Sequence, residues 1–274
     1  MPDWLDVNSL MNKADQLSTV GLAAWCSGTL VALTWIAIVC FKPLRRSWIH
    51  REPNFNSLVN YATGSFGLCY GLLLSLLAVA TYQNSARVQA SVDNEATIIA
   101  SLYGSAKYYP EPLGGELQYL LRDYTLYVVY KDWPAHKVGK IWSGGALRLQ
   151  AIQNKILSFV PINRMQELVQ QQSLSTLDKL NDARQQRLTG VRTAIPAVLW
   201  GVVAIGLVIN ILLFSLLDTG LLIHMTLGAI IASFLGMLIF LILAMDRPLQ
   251  GSVSVSPDRY ELIYELTMRP DERL

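Results

Sequence analysis

Residues of the types that commonly act in catalysis or bind metals are few in this 274-residue chain, and they are widely spaced. The histidines His50, His136 and His224 are far apart, and the sequence holds no Walker-type loop, Gly-x-Gly-x-x-Gly, His-Glu-x-x-His or Gly-x-Ser-x-Gly motif. The three cysteines fall within apolar stretches, where they form neither a disulfide framework nor metal-ligand spacing. We therefore predict no catalytic residue, metal site or cofactor, and a protein that is not an enzyme.

Charged and polar residues instead gather beside the ends of three apolar stretches. They are Asn84, Arg87, Glu95, Arg184, Arg187, Asp246 and Arg247. Such residues at one membrane face are typical of snorkelling and ion-paired interface side chains. The alternative is a charged vestibule that concentrates anions at a pore mouth. The sequence leaves both interpretations open.

Four long uncharged runs must position these residues. They are Gln16–Phe41, Pro53–Ala86, Thr193–Leu217 and Thr219–Met245. Each exceeds the roughly 20 residues that a helix needs to cross the hydrocarbon core. Only 15% of the chain is charged and 52% is hydrophobic. We predict an all-α integral membrane protein with four transmembrane helices in two pairs, in direct contact with the lipid bilayer.

The polar stretch between the two pairs also has helical spacing, which predicts a helical domain rather than a linker. The predicted organisation is an N-terminal segment at 1–18, transmembrane helices one and two at 19–84, a polar domain at 85–192, transmembrane helices three and four at 193–245, and a tail at 246–274.

Helix boundaries within the polar domain follow from its breakers. No breaker separates the second run from Ser85–Tyr109, so we predict one long rod that stops at Pro110. The next helix, Glu116–Asp132, is predicted to end at Trp133–Pro134. Another begins near Asn163 and continues through Arg184 and Arg187 towards the third run.

The second run carries small residues on nearby helical turns. The candidate pore-lining residues are Gly64, Gly67, Gly71 and Ser75, with Tyr82 at the membrane exit. Small residues let helix backbones approach closely in lipid, which favours a packing face. Small side chains also leave room for a conduit, which favours a pore-lining helix. Both interpretations hold together in an oligomer.

Four crossings place both termini and the polar domain on one side of the membrane. The short loop on the other side carries four basic residues, whereas eight lie near membrane ends on the polar-domain side. Because cytoplasmic segments are richer in Lys and Arg, we predict a cytoplasmic polar domain and cytoplasmic termini in a bacterial inner membrane.

Four stretches carry a resemblance to a known family. They are "ATYQNSARVQASVDNEATIIASLYGSAKYYP" from Ala80, "LNDARQQRL" from Leu180, "IPAVLW" from Ile195 and "MDRPLQGSVSVSP" from Met245. Here the chain resembles the bestrophin-like family of bacterial membrane proteins, with Gly104 as a departure where the family pattern has a basic residue. The resemblance implies similarity to oligomeric anion channels whose second helix lines the pore, but the acidic calcium clasp of bestrophins has no counterpart in this sequence.

These observations predict an oligomeric, channel-like membrane protein with the second helix lining the pore and anions as the candidate permeant ions. The alternative is a non-transporting, membrane-anchored scaffold or sensor. The expected partners are other copies of the chain and small inorganic ions. A net charge of +2 gives no basis for nucleic-acid binding.

Overall fold

The computed structural model of the protein describes residues 19–43, 54–250 and 253–269. All regular secondary structure in these ranges is helical, in agreement with the predicted all-α class. The helices are α1 (Thr19–Cys40), α2 (Phe55–Ala106), α3 (Leu113–Tyr127), α4 (Trp133–Lys137), α5 (Gly144–Leu157), α6 (Arg164–Arg192), α7 (Ala197–Ser215), α8 (Leu221–Met245) and α9 (Asp258–Ile263). Two π-helical segments, Val128–Asp132 and Tyr264–Met268, follow α3 and α9. The predicted segment 1–18 and most of the basic short loop lie outside the described residues.

The chain divides into two compact units. The first comprises Met1–Gln83 and Ala194–Asp246, and the second comprises Asn84–Thr193 and Arg247–Leu274. One helix, α2, belongs to both units, because it continues without a break from the second apolar run to Ala106. The predicted long rod is therefore present, with a length of about 78 Å at 1.5 Å per residue.

Four helical stretches of the described residues are long and apolar enough to cross a membrane. They are Thr19–Cys40, Phe55–Ala106, the part of Arg164–Ser215 that ends with α7, and Leu221–Met245. Large apolar side chains on these helices are exposed in the protomer, such as Leu68 at 68% and Leu76 at 71%. Exposed leucines suit a surface that meets lipid or another membrane helix.

Close helix packing in the first unit depends on small residues. A Cβ added to Gly236 of α8 would lie 2.6 Å from the Ser27 Cα of α1, so the two backbones touch. Likewise Gly206 of α7 packs against the ring of Tyr70 in α2, and the Tyr70 hydroxyl donates to the Val203 carbonyl at 3.0 Å. His224 is buried and its Nε2 lies 2.9 Å from the Phe214 carbonyl, so it packs within the unit.

The second unit has its own hydrophobic core. It includes Val92, Ile99, Tyr103, Leu121, Trp133, Leu149, Leu177 and Tyr260. These side chains come from α2, α3, α4, α5, α6 and α9, so every one of those helices contributes to a single core. Helix α6 begins where the sequence predicts a helix, after Asn163, and it is capped because Asn163 Oδ1 accepts from the Gln166 N–H at 2.9 Å.

The predicted helix end at Trp133–Pro134 is wrong. The chain continues from α3 through the π-helical segment Val128–Asp132 directly into α4. A proline inside a regular α-helix lacks one hydrogen bond and crowds the carbonyl four residues earlier. The wider π turn changes the hydrogen-bond register, which leaves Pro134 in the first turn of α4, where its missing N–H costs little.

Candidate functional site

The membrane part of α2 presents small residues that other described residues do not cover. A Cβ added to Gly64 or Gly71 would have no described heavy atom within 4 Å, and at Gly67 the nearest would be the Asn210 Nδ2 at 3.9 Å. This contrasts with Gly206, where an added Cβ would lie 2.5 Å from the Tyr70 ring. Gly64 and Gly71 therefore have open space beside them among the described residues, whereas Gly67 lies at contact distance from Asn210 of α7.

This surface continues along α2 beyond the membrane run. Ser75 and Tyr82 are exposed, Tyr82 at 61%, and they fall on the same side of the helix as Gly64 and Gly71 because the spacings are seven, four and seven residues. The same spacing then leads to further exposed small or polar residues: Ala86, Ala90, Asn94, Thr97 and Ser101. We call this surface, from Gly64 to Ser101, the small-residue face of α2.

The second unit buries an ion pair in its core. Arg187 of α6 donates from Nε to Glu95 Oε2 at 2.7 Å and from Nη2 to Glu95 Oε1 at 3.1 Å. The Tyr124 hydroxyl donates to the same Glu95 Oε1 at 2.6 Å. Both charged side chains are completely buried. Two parallel bonds of this kind fix the guanidinium and the carboxylate in one geometry.

Two further residues complete the cluster: Asp132, at the end of the π-helical segment, and His136, in α4. His136 Nδ1 lies 3.2 Å from Arg187 Nη1, and Asp132 Oδ2 lies 3.8 Å from Arg187 Nη2. Since an arginine can only donate, His136 Nδ1 accepts and its proton resides on Nε2. Trp133 places its ring 5.8 Å from the Arg187 Cζ.

Burial determines the protonation states of these groups. Desolvation and the positive charges of Arg187 and Arg184 lower the pKa of His136 to about 3, so its imidazole is neutral at physiological pH. Desolvation raises the pKa of Asp132 above its ordinary value, although the same two arginines oppose the rise. Desolvation lowers the pKa of the Arg187 guanidinium, but the charge of Glu95, its hydrogen bonds and the neighbouring Tyr260 and Tyr124 together outweigh it, so the pKa is raised.

Part of the cluster lacks hydrogen-bond partners within the described residues. These atoms include both carboxylate oxygens of Asp132, His136 Nε2 and Arg184 Nε. A Cβ added to Gly145 would lie 3.0 Å from Asp132 Oδ2 and 3.4 Å from Arg184 Nε, so only a glycine leaves these two groups their space. Buried polar atoms of this kind are usually satisfied by ordered water. Among the described residues no group of three His, Cys, Asp or Glu side chains is arranged to hold a metal ion.

The predicted interface cluster is not one group of water-facing residues. Glu95, Arg184 and Arg187 are buried within the second unit, where Glu95 and Arg187 form an ion pair. Asp246 belongs to the first unit, where it is buried and accepts from the Ile195 N–H at 2.6 Å. The others are more accessible: Arg87 is exposed, Asn84 is half-buried, and half-buried Arg247 donates to Gln250 Oε1 at 3.3 Å.

Sequence reasoning missed Tyr124, Asp132 and His136 as members of the cluster. A signal was present for two of them, because Asp132 and His136 are four residues apart, the spacing that places side chains on one helical face. The assumption that Trp133–Pro134 ends a helix hid that spacing.

The fold and its four apolar helical stretches define the class as an all-helical, multi-span membrane protein. Within that class the chain belongs to the bestrophin-like family, because the Bestrophin-like domain model matches residues 28–260. This confirms the resemblance seen in the sequence. A crystal structure of a membrane protein shares the fold with a TM-score of 0.67 at 10% identity, covering 89% of this chain and 98% of the other. No curated protein matches the chain significantly.

Proposed function

We propose that the protein is an oligomeric ion channel in which α2 lines the pore, with anions as the permeant ions. The observation that carries this proposal is the small-residue face, which runs along an unbroken α2 and is uncovered in the protomer. Four membrane helices enclose little space by themselves, so a conduit along this face needs several subunits around one axis. Membership of the bestrophin-like family supports the same assembly.

The chemistry of the face changes along the helix in a way that suits a conduit. Its membrane part carries Gly64, Gly71 and Ser75 beside the exposed apolar residues Leu68 and Val79. Its extension carries Asn94, Thr97 and Ser101, whose polar groups interact favourably with water and ions. The adjoining polar domain has an excess of positive charge, with 13 Lys and Arg against 9 Asp and Glu over residues 84–193. A net positive surface attracts anions, which supports anions over cations.

The orientation follows the same charge distribution. We propose that the polar domain and both termini are cytoplasmic in a bacterial inner membrane, because Lys and Arg near membrane ends are more numerous on that side. A cysteine introduced in the polar domain tests this in intact cells. Labelling by a membrane-impermeant reagent only after the cells are opened supports the orientation, and labelling of intact cells contradicts it.

The first measurement is the oligomeric state of the purified protein, by native mass spectrometry or single-particle imaging. A closed ring with α2 at its axis is expected, and a monomer contradicts the proposal. Bilayer recordings then compare Gly71→Leu and Ser75→Leu with Gly201→Leu, a matched change in α7 that also has open space beside it. Conductance should fall for the α2 variants alone, and equal conductance in all three would refute a pore along α2.

The second candidate function is a membrane-anchored scaffold or sensor without transport. It is favoured by exposed apolar residues between α5 and α6, where Val160 is 78% and Ile162 is 89% exposed. Exposed apolar residues grouped on a polar domain often mark a protein interaction site. A protein that forms no ring and passes no current, yet retains a partner that Ile162→Asp releases, would support this function.

A further inference from the structure

The loop between α4 and α5 combines exposed apolar and basic side chains. Within Lys137–Trp142, both lysines are exposed, Val138 is 67% exposed and Trp142 is 55% exposed. Exposure to water does not favour a valine and a tryptophan, yet both are exposed here within five consecutive residues. Lysine and tryptophan together are typical of segments at the headgroup level of a bilayer.

The backbone of this loop has a defined, hydrogen-bonded conformation. Gly139 has a φ of +71°, the Lys140 N–H donates to the Ala135 carbonyl at 2.9 Å, and the Gly139 N–H donates to the His136 carbonyl at 2.9 Å. These two bonds and the left-handed glycine form a Schellman motif that ends α4. The turn therefore holds Val138 and Lys140 at the surface in a defined conformation.

Contacts within the second unit place the loop beside the segments that lead to the membrane spans. Gly139 lies against the Gln250 side chain, whose Nε2 an added Cβ would meet at 3.2 Å. The same Nε2 donates to the Val191 carbonyl at 3.3 Å. Gln250 comes five residues after the end of α8, and Val191 six residues before the start of α7. Five residues span at most about 18 Å, so Gln250, which the loop contacts, lies within about 18 Å of the end of α8.

We propose that Lys137–Trp142 is a lipid-binding surface that docks on anionic phospholipid headgroups of the bilayer that the protein spans. Val138 and Trp142 enter the interfacial layer, and Lys137 and Lys140 pair with headgroup phosphates. The occupant is lipid rather than another protein because the loop adjoins two membrane-entering segments and its charges are positive, complementary to an anionic leaflet. The surface acts independently of whether the protein conducts ions.

Spin labels read out the depth of the loop in the full-length protein. Val138→Cys is labelled in a background with Cys26, Cys40 and Cys69 changed to alanine, then reconstituted in phosphatidylcholine vesicles with and without phosphatidylglycerol. The matched control is Ile162→Cys, which precedes α6, a helix about 43 Å long whose other end leads to α7. The Val138 label should be several-fold more accessible to oxygen relative to a water-soluble nickel complex than the Ile162 label, more so with phosphatidylglycerol. Equal water accessibility of both labels overturns the proposal.

Retained lipid gives a second measurement that needs no cysteine changes. Native mass spectrometry counts phosphatidylglycerol bound to the otherwise unaltered chain and to the Lys137→Gln, Lys140→Gln double variant. The control variant Lys107→Gln, Lys179→Gln removes the same charge from exposed lysines elsewhere in the second unit. The loop variant should retain several-fold less phosphatidylglycerol than the control variant. Equal retention by the two variants refutes a headgroup site at this loop.

Discussion

Neutralising Glu95 should destabilise the second unit severely. In Glu95→Gln the carboxylate that accepts from Arg187 Nε, Arg187 Nη2 and the Tyr124 hydroxyl is replaced by an amide. The amide has one acceptor oxygen, and its NH₂ group would face arginine N–H donors. Among the described residues Arg187, which is completely buried, then keeps only Asp132 as an opposite charge, at 3.8 Å.

The expected magnitude follows from this burial. Removing one partner of a fully buried ion pair costs about 3–5 kcal/mol, because the remaining charge stays buried without compensation. For a domain of this size about 2–4 °C of melting temperature is lost per kcal/mol, so the variant should melt roughly 6–20 °C below the parent. Thermal unfolding of the detergent-purified full chain, followed by circular dichroism, measures the change.

A matched control separates burial from ion pairing itself. Glu116 pairs with Lys155 at 2.6 Å, yet both side chains are about half exposed, and such pairs contribute about 0–1 kcal/mol. Glu116→Gln should therefore shift the melting temperature by only a few degrees. Equal shifts for Glu95→Gln and Glu116→Gln would refute the reasoning. The double variant Glu95→Gln, Arg187→Met gives a second check. Removal of both charges should recover part of the stability, so a loss of melting temperature equal to the sum of the two single losses would also refute the reasoning.

Two further changes test other features of the second unit. Since the pKa of His136 is about 3 in the folded protein against an ordinary 6.5, the unfolded chain takes up the proton first, and stability falls as pH drops from about 6.5 towards 3. Between pH 7.5 and 5 the parent should thus lose more melting temperature than His136→Gln, whereas equal losses would show that His136 does not resist protonation. A Cβ at Gly190 would lie 2.6 Å from Val88 Cγ2, so Gly190→Ala should cost about 1–3 kcal/mol by overpacking. Gly104→Ala, which meets open space in α2, should be neutral or stabilising by up to about 1 kcal/mol, and a similar loss in both variants would contradict the packing argument.

Local signals in the sequence predicted most of the fold. The apolar runs are long and uncharged, so the four spans follow from hydropathy alone. The absence of a breaker between Tyr82 and Pro110 predicted the continuation of α2, and the helix predicted to begin near Asn163 corresponds to α6. Each of these features depends on residues that are near one another in the sequence, so it can be recognised without knowledge of the tertiary structure.

The buried cluster depends on distant residues and was not predictable in this way. Glu95 and Arg187 are 92 positions apart, and nothing local distinguishes them from the exposed Arg87 or Arg192. Their pairing requires the packing of α2 against α6, which is decided by the whole core of the second unit. Asp132 and His136 were not predicted for a different reason. A proline ends or kinks a regular α-helix, but the π-helical segment before Pro134 lets the helix continue.

The position of Glu95 on α2 connects this cluster with the small-residue face. Glu95 follows Ser75 by 20 residues, which at about 100° per residue turns the helix through about 200° beyond complete turns. Glu95 therefore points away from the side on which Ser75, Thr97 and Ser101 lie. The paired arginine and the apolar core secure one side of α2, and the opposite side is left uncovered along its length. Within the second unit, the ion pair therefore helps to decide that Thr97 and Ser101, rather than the core side of α2, remain exposed.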